Sequence, residues 1–392
     1  MRREVGGRPN VSVVAGVLAS AWAVGCVGRH PDDGPEAYLG PAVVASSNGQ
    51  TEVFALDGDQ VGDRLFRVQH PEEDRPMSDV QFLERARDEL GRPLLAVLVN
   101  TLTEPSDLDG WDQASFIVVK DVDGGPWYRV ALPFVPHHTF AQLPEELAFV
   151  QSDGARSVLD FLVIAWGPDG EDGITDDFYF VHVFADGSSA SRLAWRSTDL
   201  PAWPPVVSQT VGQHMHSNGL DCGDPHGWGA GPVCAVSALV PSVVYLMRLD
   251  PAGPATLVWD TSSVDWTRYG LSLAGVHSPD LTADGVLWFF HNAVGDDAGS
   301  QVIAVDTVTN EVIAVVHTDS QKARGAVTVL DAEHVLITHS ADGAFCVEDV
   351  PSDPGGLFAM GSATRSTCGS VAQAEDGVLR AYFRPDLYWV AP

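Results

Sequence analysis

The sequence predicts an all-β protein, a β-propeller of about six four-stranded blades, from two observations. From about residue 42 the chain consists of short β-rich runs separated by turns, among them "TEVFALDGD", "LDFLVIAWGPDGEDG" and "QVIAVDTVTNEVIAVVHT". Asp-Gly and Thr-Asn turns between apolar runs are typical of β-hairpins. The C-terminal half also repeats a polar entry followed by strands and turns, with the period of roughly forty to fifty residues that is typical of a propeller blade. A two-sheet all-β arrangement is the alternative.

Composition limits the classes of partner. The 392 residues are 45% hydrophobic and 19% charged, which is typical of a globular protein with a large core. The 22 basic and 53 acidic residues give a formal net charge of −31. This charge repels nucleic acid and anionic membrane faces, so neither is an expected partner. It also disfavours long-range steering of anionic substrates.

Residues 1–26 predict a lipoprotein-type signal peptide. Three arginines precede the apolar run "VSVVAGVLASAWAV", which is too short to span a membrane comfortably, and Gly25-Cys26 follows. The small residues before Cys26 resemble a bacterial lipobox, in which this cysteine is lipidated, although Ala23 stands where leucine is usual. An ordinary secretory signal is the alternative. Both interpretations predict export, to the periplasm, the outer membrane or the cell surface. The lipoprotein signal also predicts a lipid anchor as the only membrane contact.

The rest of the chain divides into a tether and one domain. The segment 27–41, "VGRHPDDGPEAYLGP", predicts a flexible tether, and residues 42–392 form the propeller domain. The one persuasive helix candidate is "SDVQFLERARDEL", at residues 78–90.

The cysteines predict two disulfide bonds. Five are present, and lipidation of Cys26 leaves four. Proximity in sequence favours the pairs Cys222–Cys234 and Cys346–Cys368, with other pairings open.

One turn is rich enough in carboxylates to hold calcium. "GPDGEDGITDD", residues 167–177, contains the candidate ligands Asp169, Glu171, Asp172 and Asp176. It lacks EF-hand spacing, and a solvated acidic turn is the alternative. Calcium is therefore a possible cofactor. No motif in the sequence requires a cofactor.

Polar residues at the starts of predicted blades indicate a site on the propeller axis. The innermost strands point their first residues at the central channel, where polar groups can converge without a core partner. The entries "HMHSN" and "VHSPD" and the strand end "FFHNA" place there His214, His216, Asn218, His277, His291 and Asn292. The four histidines could instead bind zinc or copper, although no compact ligand spacing is present.

These segments resemble the bacterial arylsulfate sulfotransferases. "HSNGLD" followed by "YLMRLDPAGPATLVWD" is similar to the family's His-x-Asn-x-x-Asp and the strand after it. "GVHSPDLTADGVLWFFHNA", "GAVTVLDAEHVLI" and "VLRAYFRPDLYW" resemble its later blades in the right order, so the resemblance spans roughly residues 205–392. It implies a six-bladed propeller that transfers a sulfuryl group between phenolic compounds through a channel histidine.

The resemblance also implies roles for individual residues. His216, Asn218 and His277 match the family's positions that bind the sulfuryl oxygens or handle protons. At the family's nucleophile position this chain has Phe345, so His339 is the candidate nucleophile by elimination. No arginine follows "FFHNA", and Arg324 is the candidate replacement. His214, His291 and Asn292 are expected to contact the substrate.

A second hypothesis comes from these departures. A non-catalytic propeller that binds a ligand or a protein on the bacterial envelope would need neither the nucleophile nor the arginine.

Overall fold

The structure is a computed structural model. It describes residues 37–47, 50–58, 60–68, 77–87, 93–99, 116–120, 126–134, 136–166, 176–199, 217–223, 231–239, 242–250, 253–292, 300–318, 325–339, 343–350, 360–362, 365–370 and 380–390.

Twenty-five β-strands account for most of these residues. The N-terminal half contains β1 (Ala37–Ser47), β2 (Gln50–Asp57), β3 (Gln60–Arg67), β4 (Met77–Arg87), β5 (Pro93–Val99), β6 (Phe116–Lys120), β7 (Pro126–Ala131), β8 (Pro136–Gln142), β9 (Ser157–Trp166), β10 (Asp176–Phe184) and β11 (Ser189–Arg196). The C-terminal half contains β12 (Ser217–Gly223), β13 (Val233–Ala238), β14 (Val243–Arg248), β15 (Thr256–Asp260), β16 (Val276–Leu281), β17 (Val286–His291), β18 (Gln301–Asp306), β19 (Glu311–His317), β20 (Val327–Val329), β21 (His334–His339), β22 (Ala344–Asp349), β23 (Met360–Ser362), β24 (Arg365–Ser370) and β25 (Arg380–Val390). The described helices are short 3₁₀ turns at Glu145–Leu147, Ser197–Asp199, Thr261–Ser263 and Trp266–Tyr269.

The strands form six antiparallel blades, which confirms the predicted six-bladed propeller. The sheet orders are β25-β1-β2-β3, β4-β5-β6-β7, β8-β9-β10-β11, β12-β13-β14-β15, β16-β17-β18-β19 and β20-β21-β22-β24. The C-terminal strand β25 pairs with β1, with Val43 opposite Phe383, and so completes the first blade. This pairing closes the ring and leaves no open sheet edge between the two chain ends.

Apolar strands fill the spaces between blades. Every residue of β13 is buried, because a blade is covered on both faces by its neighbours. One core cluster joins Leu246 of the fourth blade to Phe289 and Ile303 of the fifth. The blades therefore share cores, and side chains on adjacent inner strands are held at fixed distances.

The helix predicted at residues 78–90 is wrong, because most of this segment is the strand β4. Val80 lies opposite Val97 of β5, and Val80 and Leu83 are fully buried. The hydroxyl of Thr139, on the next blade, donates to Asp79 at 2.7 Å. Sheet pairing and this contact between blades outweigh the helix propensity of "ERARDEL". Strand β1 likewise begins at Ala37, inside the segment expected to be a tether.

Both predicted disulfide pairs are confirmed. Cys222 lies opposite Cys234 on β12 and β13, and Cys346 lies opposite Cys368 on β22 and β24. The second disulfide closes the loop that contains β23, and β23 adds a parallel fifth strand to the outer edge of β19. Blade six is thereby tied to blade five.

Aspartate side chains join successive blades near the axis. Asp176 accepts a hydrogen bond from the Ser217 amide at 2.7 Å and so links the third and fourth blades. Asp221 accepts from the Leu281 amide at 2.8 Å, which links the fourth and fifth. An equivalent bond of 2.7 Å joins Asp280 to the Val329 amide. Each carboxylate satisfies an inner-strand amide of the following blade.

Candidate functional site

The candidate site lies between the innermost strands of the fourth and fifth blades. Strands β12 and β16 are neighbours, and their first residues lie at the same end of the ring. Asn218 is the second residue of β12, and His277 is the second residue of β16. Both were predicted from the polar blade entries.

Asn218 and His277 form a hydrogen-bonded pair across the two blades. The Asn218 Nδ2 atom lies 2.6 Å from His277 Nδ1, although the residues are 59 positions apart in sequence. The Ser237 hydroxyl donates to Asn218 Oδ1 at 2.9 Å from the strand behind. Both members of the pair are buried, at 4% and 6% exposure, so their amide and imidazole groups are largely removed from bulk water.

Irregularities in both strands aim these side chains at each other. The register of β12 with β13 shifts between Ser217 and Gly219, on either side of Asn218. The register of β16 with β17 shifts between His277 and Asp280. Bulges of this kind redirect a side chain and are common beside functional sites. The backbone therefore departs from regular strand geometry at both Asn218 and His277.

Close backbone packing supports the two bulges. A Cβ atom on Gly219 would lie 2.5 Å from the Ser278 nitrogen and 2.5 Å from Pro279 Cδ, so only glycine fits between the strands. Ser278 has a φ of 40°, in the left-handed region that costs energy for a residue with a side chain. The fold maintains this strain directly beside His277.

The hydrogen bonds determine what the imidazole can offer. With the amide assigned so that Asn218 Oδ1 accepts from Ser237, Asn218 Nδ2 donates to His277 Nδ1 at 2.6 Å and lies 3.4 Å from Nε2. A neutral His277 then carries its proton on Nε2, which makes that atom a hydrogen-bond donor. Such a donor at the start of an inner strand suits an anionic oxygen.

Two carboxylates lie three residues further along the same strands. Asp221 follows Asn218, and Asp280 follows His277, at equal spacing. Burial, with a smaller effect from the nearby Asp221 carboxylate, raises the pKa of Asp280 to about 8. At neutral pH Asp280 is therefore mostly protonated, and the pair carries less negative charge than its composition suggests.

His291 is buried on the strand next to His277. It lies opposite Val276 in the ladder, and its Nδ1 atom is 3.4 Å from Gln301 Oε1. Burial lowers the pKa of His291, while hydrogen bonds that its ring donates to Gln301 and to the Ser272 backbone partly offset that effect. It is thus an uncharged, interior residue of the fifth blade. Asn292 follows it, with a buried Oδ1 atom that has no hydrogen-bond partner.

His339 pairs with a carboxylate of its own blade. Its Nε2 atom lies 3.1 Å from Glu348 Oε1, and the two side chains are 0% and 1% exposed. Phe345 is fully buried and packs edge-on against Phe54, at 5.0 Å between ring centres. The nucleophilic role of His339 stays a prediction.

Several predicted site residues lie outside the described part of the chain. These are Cys26, Asp169, Glu171, Asp172, His214, His216 and Arg324. Of the predicted calcium ligands, Asp176 is described, and its carboxylate binds the Ser217 backbone. This contact gives Asp176 a structural role between blades.

The sequence analysis missed a buried network in the third blade. His182 Nδ1 lies 2.5 Å from Asp160 Oδ1, and the Ser157 hydroxyl donates to the other carboxylate oxygen at 2.9 Å. The His182 ring stacks on Phe149, at 4.8 Å between ring centres, and its Nε2 atom is buried without a hydrogen-bond partner. A histidine inside the apolar run "DFYFVHVF" was the available signal, since a buried imidazole needs a polar partner.

No family model matches the chain, and no curated protein matches it. Among solved structures, it is similar to the Pseudomonas aeruginosa periplasmic gluconolactonase PpgL, with 13% identity and a TM-score of 0.47 over 91% of this chain and 100% of that one. It is also similar to a protein from Lactobacillus plantarum, with 15% identity and a TM-score of 0.45 over 86% and 82% of the two chains. A third similar structure is the apo form of AztD from Citrobacter koseri, with 11% identity and a TM-score of 0.39 over 88% of this chain and 99% of that one.

The sheet order and the closing strand define the protein as a six-bladed β-propeller with a polar pair at the junction of two inner strands. In the described part of the chain, no helix has both the length and the apolar character needed to cross a membrane.

Proposed function

We propose that the chain is an exported, arylsulfotransferase-like propeller that binds an aryl sulfate at the Asn218–His277 pair and transfers its sulfuryl group to a phenol. One observation carries this proposal. Two residues that match the family's oxygen-binding positions meet at 2.6 Å across neighbouring blades, from positions 59 residues apart. Sequence proximity cannot produce such a contact, so it supports a built site.

The pair has the chemistry that sulfuryl transfer requires. Negative charge on the sulfuryl oxygens must be met by hydrogen-bond donors that are already in position. The Nε2 proton of His277 supplies such a donor, and Asn218 and Ser237 hold the imidazole in the required tautomer. Protonation of Asp280 at neutral pH reduces the repulsion that a bound sulfate would meet.

The reaction proceeds in two displacement steps. An imidazole nitrogen attacks sulfur, and the bond from sulfur to the aryl oxygen breaks with its electrons leaving on the phenolate. The oxygen of the acceptor phenol then attacks sulfur, the electrons of the sulfur–nitrogen bond return to the imidazole, and the acceptor's proton passes to a base. His277 is unsuited to the first step, because its Nδ1 lone pair accepts from Asn218 and its Nε2 carries the proton. His339 is the candidate nucleophile by elimination.

The N-terminal sequence supports the proposed export. The arginines, the apolar run and Cys26 support a lipoprotein of the bacterial outer membrane or periplasm, and the two disulfides suit an oxidising compartment.

A turnover assay tests the proposed function. The chain from Val27 onward, without lipid, is incubated with an aryl sulfate donor and a phenol acceptor, and the released phenol and the sulfated acceptor are measured. We expect His277→Ala and Asn218→Ala each to lower kcat/KM by about a hundredfold, the effect of removing one preorganised oxyanion donor. His334→Ala is the matched control, because His334 pairs with Asp331 in a surface turn.

The assay can also reject the proposal. Folded, oxidised protein that releases no phenol, or turnover that His277→Ala and Asn218→Ala leave unchanged, would rule it out.

The second candidate is a binding propeller without catalysis. The contact with Glu348 that holds the fully buried His339 favours it, because a nucleophile must reach the substrate. Saturable calorimetric binding of an aryl sulfate that disappears in His277→Ala, without phenol release, would establish this function.

A further inference from the structure

A cluster of potential metal ligands lies in the sixth blade. One donor atom from each of His339, Cys346 and Glu348 lies within 4.8 Å of the others, and all three residues are buried. It is the one such cluster among the residues that the structure describes. The disulfide places a fourth donor, Cys368, beside it.

Strand register brings these side chains together. Cys346 and Glu348 are two positions apart on β22, so they point to the same face of the blade. Cys368 lies directly opposite Cys346 on β24, and His339 is the last residue of the neighbouring strand β21. Two strands of the blade therefore place three donors within 4.8 Å of one another, and a third strand places Cys368 in a bond to one of them.

The packing of the blade does not account for this donor set. A buried histidine–carboxylate pair stabilises a fold no better than apolar side chains of the same volume. His339 Nδ1 is also buried without a hydrogen-bond partner, which adds a cost that apolar packing would avoid. The Nε2 and Oε1 atoms, 3.1 Å apart, are spaced much like two ligands of one tetrahedral ion.

We propose that reduction of the Cys346–Cys368 disulfide creates a site for a soft divalent cation of the Zn²⁺ class, with His339, Cys346, Glu348 and Cys368 as ligands. Two sulfurs, one imidazole nitrogen and one carboxylate oxygen are a donor set that zinc accepts in tetrahedral geometry.

The chemistry balances with a dithiol as the reductant. A thiolate of the dithiol attacks Cys368, whose side chain is exposed while Cys346 is fully buried. The disulfide takes up two electrons and two protons and gives two thiols, and the dithiol becomes a cyclic disulfide. Zn²⁺ then displaces both thiol protons. Two thiolates and one carboxylate against a doubly charged cation leave one net negative charge.

The site would have two consequences. The metal would take the place of the disulfide in closing the loop that contains β23, and so preserve the link between the fifth and sixth blades. It would also engage His339 and remove this residue from the candidate nucleophiles. The proposal does not depend on the proposed function, because Asn218 and His277 take no part in it.

Cobalt binding tests this proposal. The chain from Val27 onward is reduced with dithiothreitol, freed of reductant without air, and titrated with Co²⁺, while circular dichroism monitors the fold. We expect one Co²⁺ per chain, with the thiolate charge-transfer and visible bands of a tetrahedral sulfur site, and displacement by Zn²⁺. His339→Ala should weaken binding by at least tenfold, and Cys346→Ser/Cys368→Ser should abolish the charge-transfer band.

The other disulfide provides the control. Cys222→Ser/Cys234→Ser keeps all four proposed ligands and should bind Co²⁺ like the parent chain. Equal bands in Cys346→Ser/Cys368→Ser, or no binding by reduced and folded protein, would overturn the proposal. If reduction unfolds the chain, Zn²⁺ added beforehand should keep it folded by mass action, and unfolding in its presence would count equally against the site.

Discussion

His182 and His277 are both buried histidines bonded through Nδ1, but the two are held in different ways. His182 bonds to Asp160, a carboxylate that lies directly opposite it in the ladder of one blade. His277 bonds to Asn218, a neutral amide on the next blade, where both strands are bulged. Strand pairing alone positions the first pair, whereas the second requires irregular backbone. Only the second pair is therefore part of the site to which the proposed function assigns a ligand.

Removing the carboxylate of the structural pair should have the largest effect on stability. Asp160→Ala leaves His182 and Ser157 buried without their partner, which should lower the free energy of unfolding by about 3–5 kcal/mol. Urea denaturation measures this loss. Asp160→Asn keeps the shape and one acceptor, and should cost less. If the comparison is right, protein that remains folded keeps its affinity for an aryl sulfate.

Filling the gap at Gly219 should damage the second pair. The Cβ atom of Gly219→Ala would overlap Ser278 and Pro279, which should cost about 1–3 kcal/mol by overpacking. Separation of β12 from β16 should also break the Asn218–His277 bond, so ligand affinity should fall more than stability does. Thermal unfolding and calorimetric binding report the two effects. Gly223→Ala, on the same strand and with no atom nearer its Cβ position than the Leu281 oxygen at 3.9 Å, is the control for a glycine replacement.

Asp280, three residues after His277, should make the stability of the protein depend on pH. The pKa of Asp280 is about 8 in the folded protein, above its ordinary value of 3.8, so the folded state binds this proton more tightly than the unfolded state does. The contribution of Asp280 to the free energy of unfolding is therefore fully present below about pH 4. It is lost as pH rises towards 8, by at most about 1.4 kcal/mol per pH unit. Denaturation of the parent chain and Asp280→Asn at pH 6 and pH 7 measures the slope.

In that experiment the variant should lose most of the slope, because its amide does not titrate. An unchanged slope would assign the pH dependence to other groups.

Removal of the Asn218 side-chain amide should have the smallest effect on stability. Asn218→Ala removes hydrogen bonds to His277 and Ser237 and should cost about 1–2 kcal/mol. It also releases the tautomer of His277, so the pH dependence of ligand binding should shift as the imidazole loses its fixed donor. A variant that binds with the parent's pH profile would contradict a positioning role for Asn218.

Part of the candidate site was predictable, because the polar segments "HMHSN" and "VHSPD" indicate the starts of two blades. Asn218 and His277 stand at polar blade entries, and the repeat predicts that such entries face the axis. The contact between them was not predictable, since it depends on two bulges and on the contact at Gly219. The Asp160–His182 pair was missed because a single histidine within an apolar strand does not indicate which residue will lie opposite it.

The sequence by itself determined the hairpins and the all-β class and favoured both disulfide pairs, because these depend on residues that are close along the chain. Only the tertiary structure decided that residues 77–87 form a strand, since that segment gains its stability from β5 and from the next blade. It also decided which polar residues meet. Asn218 contacts His277 across 59 residues because the closure of the ring sets how each blade is rotated against its neighbours. Local spacing carries no information about that rotation.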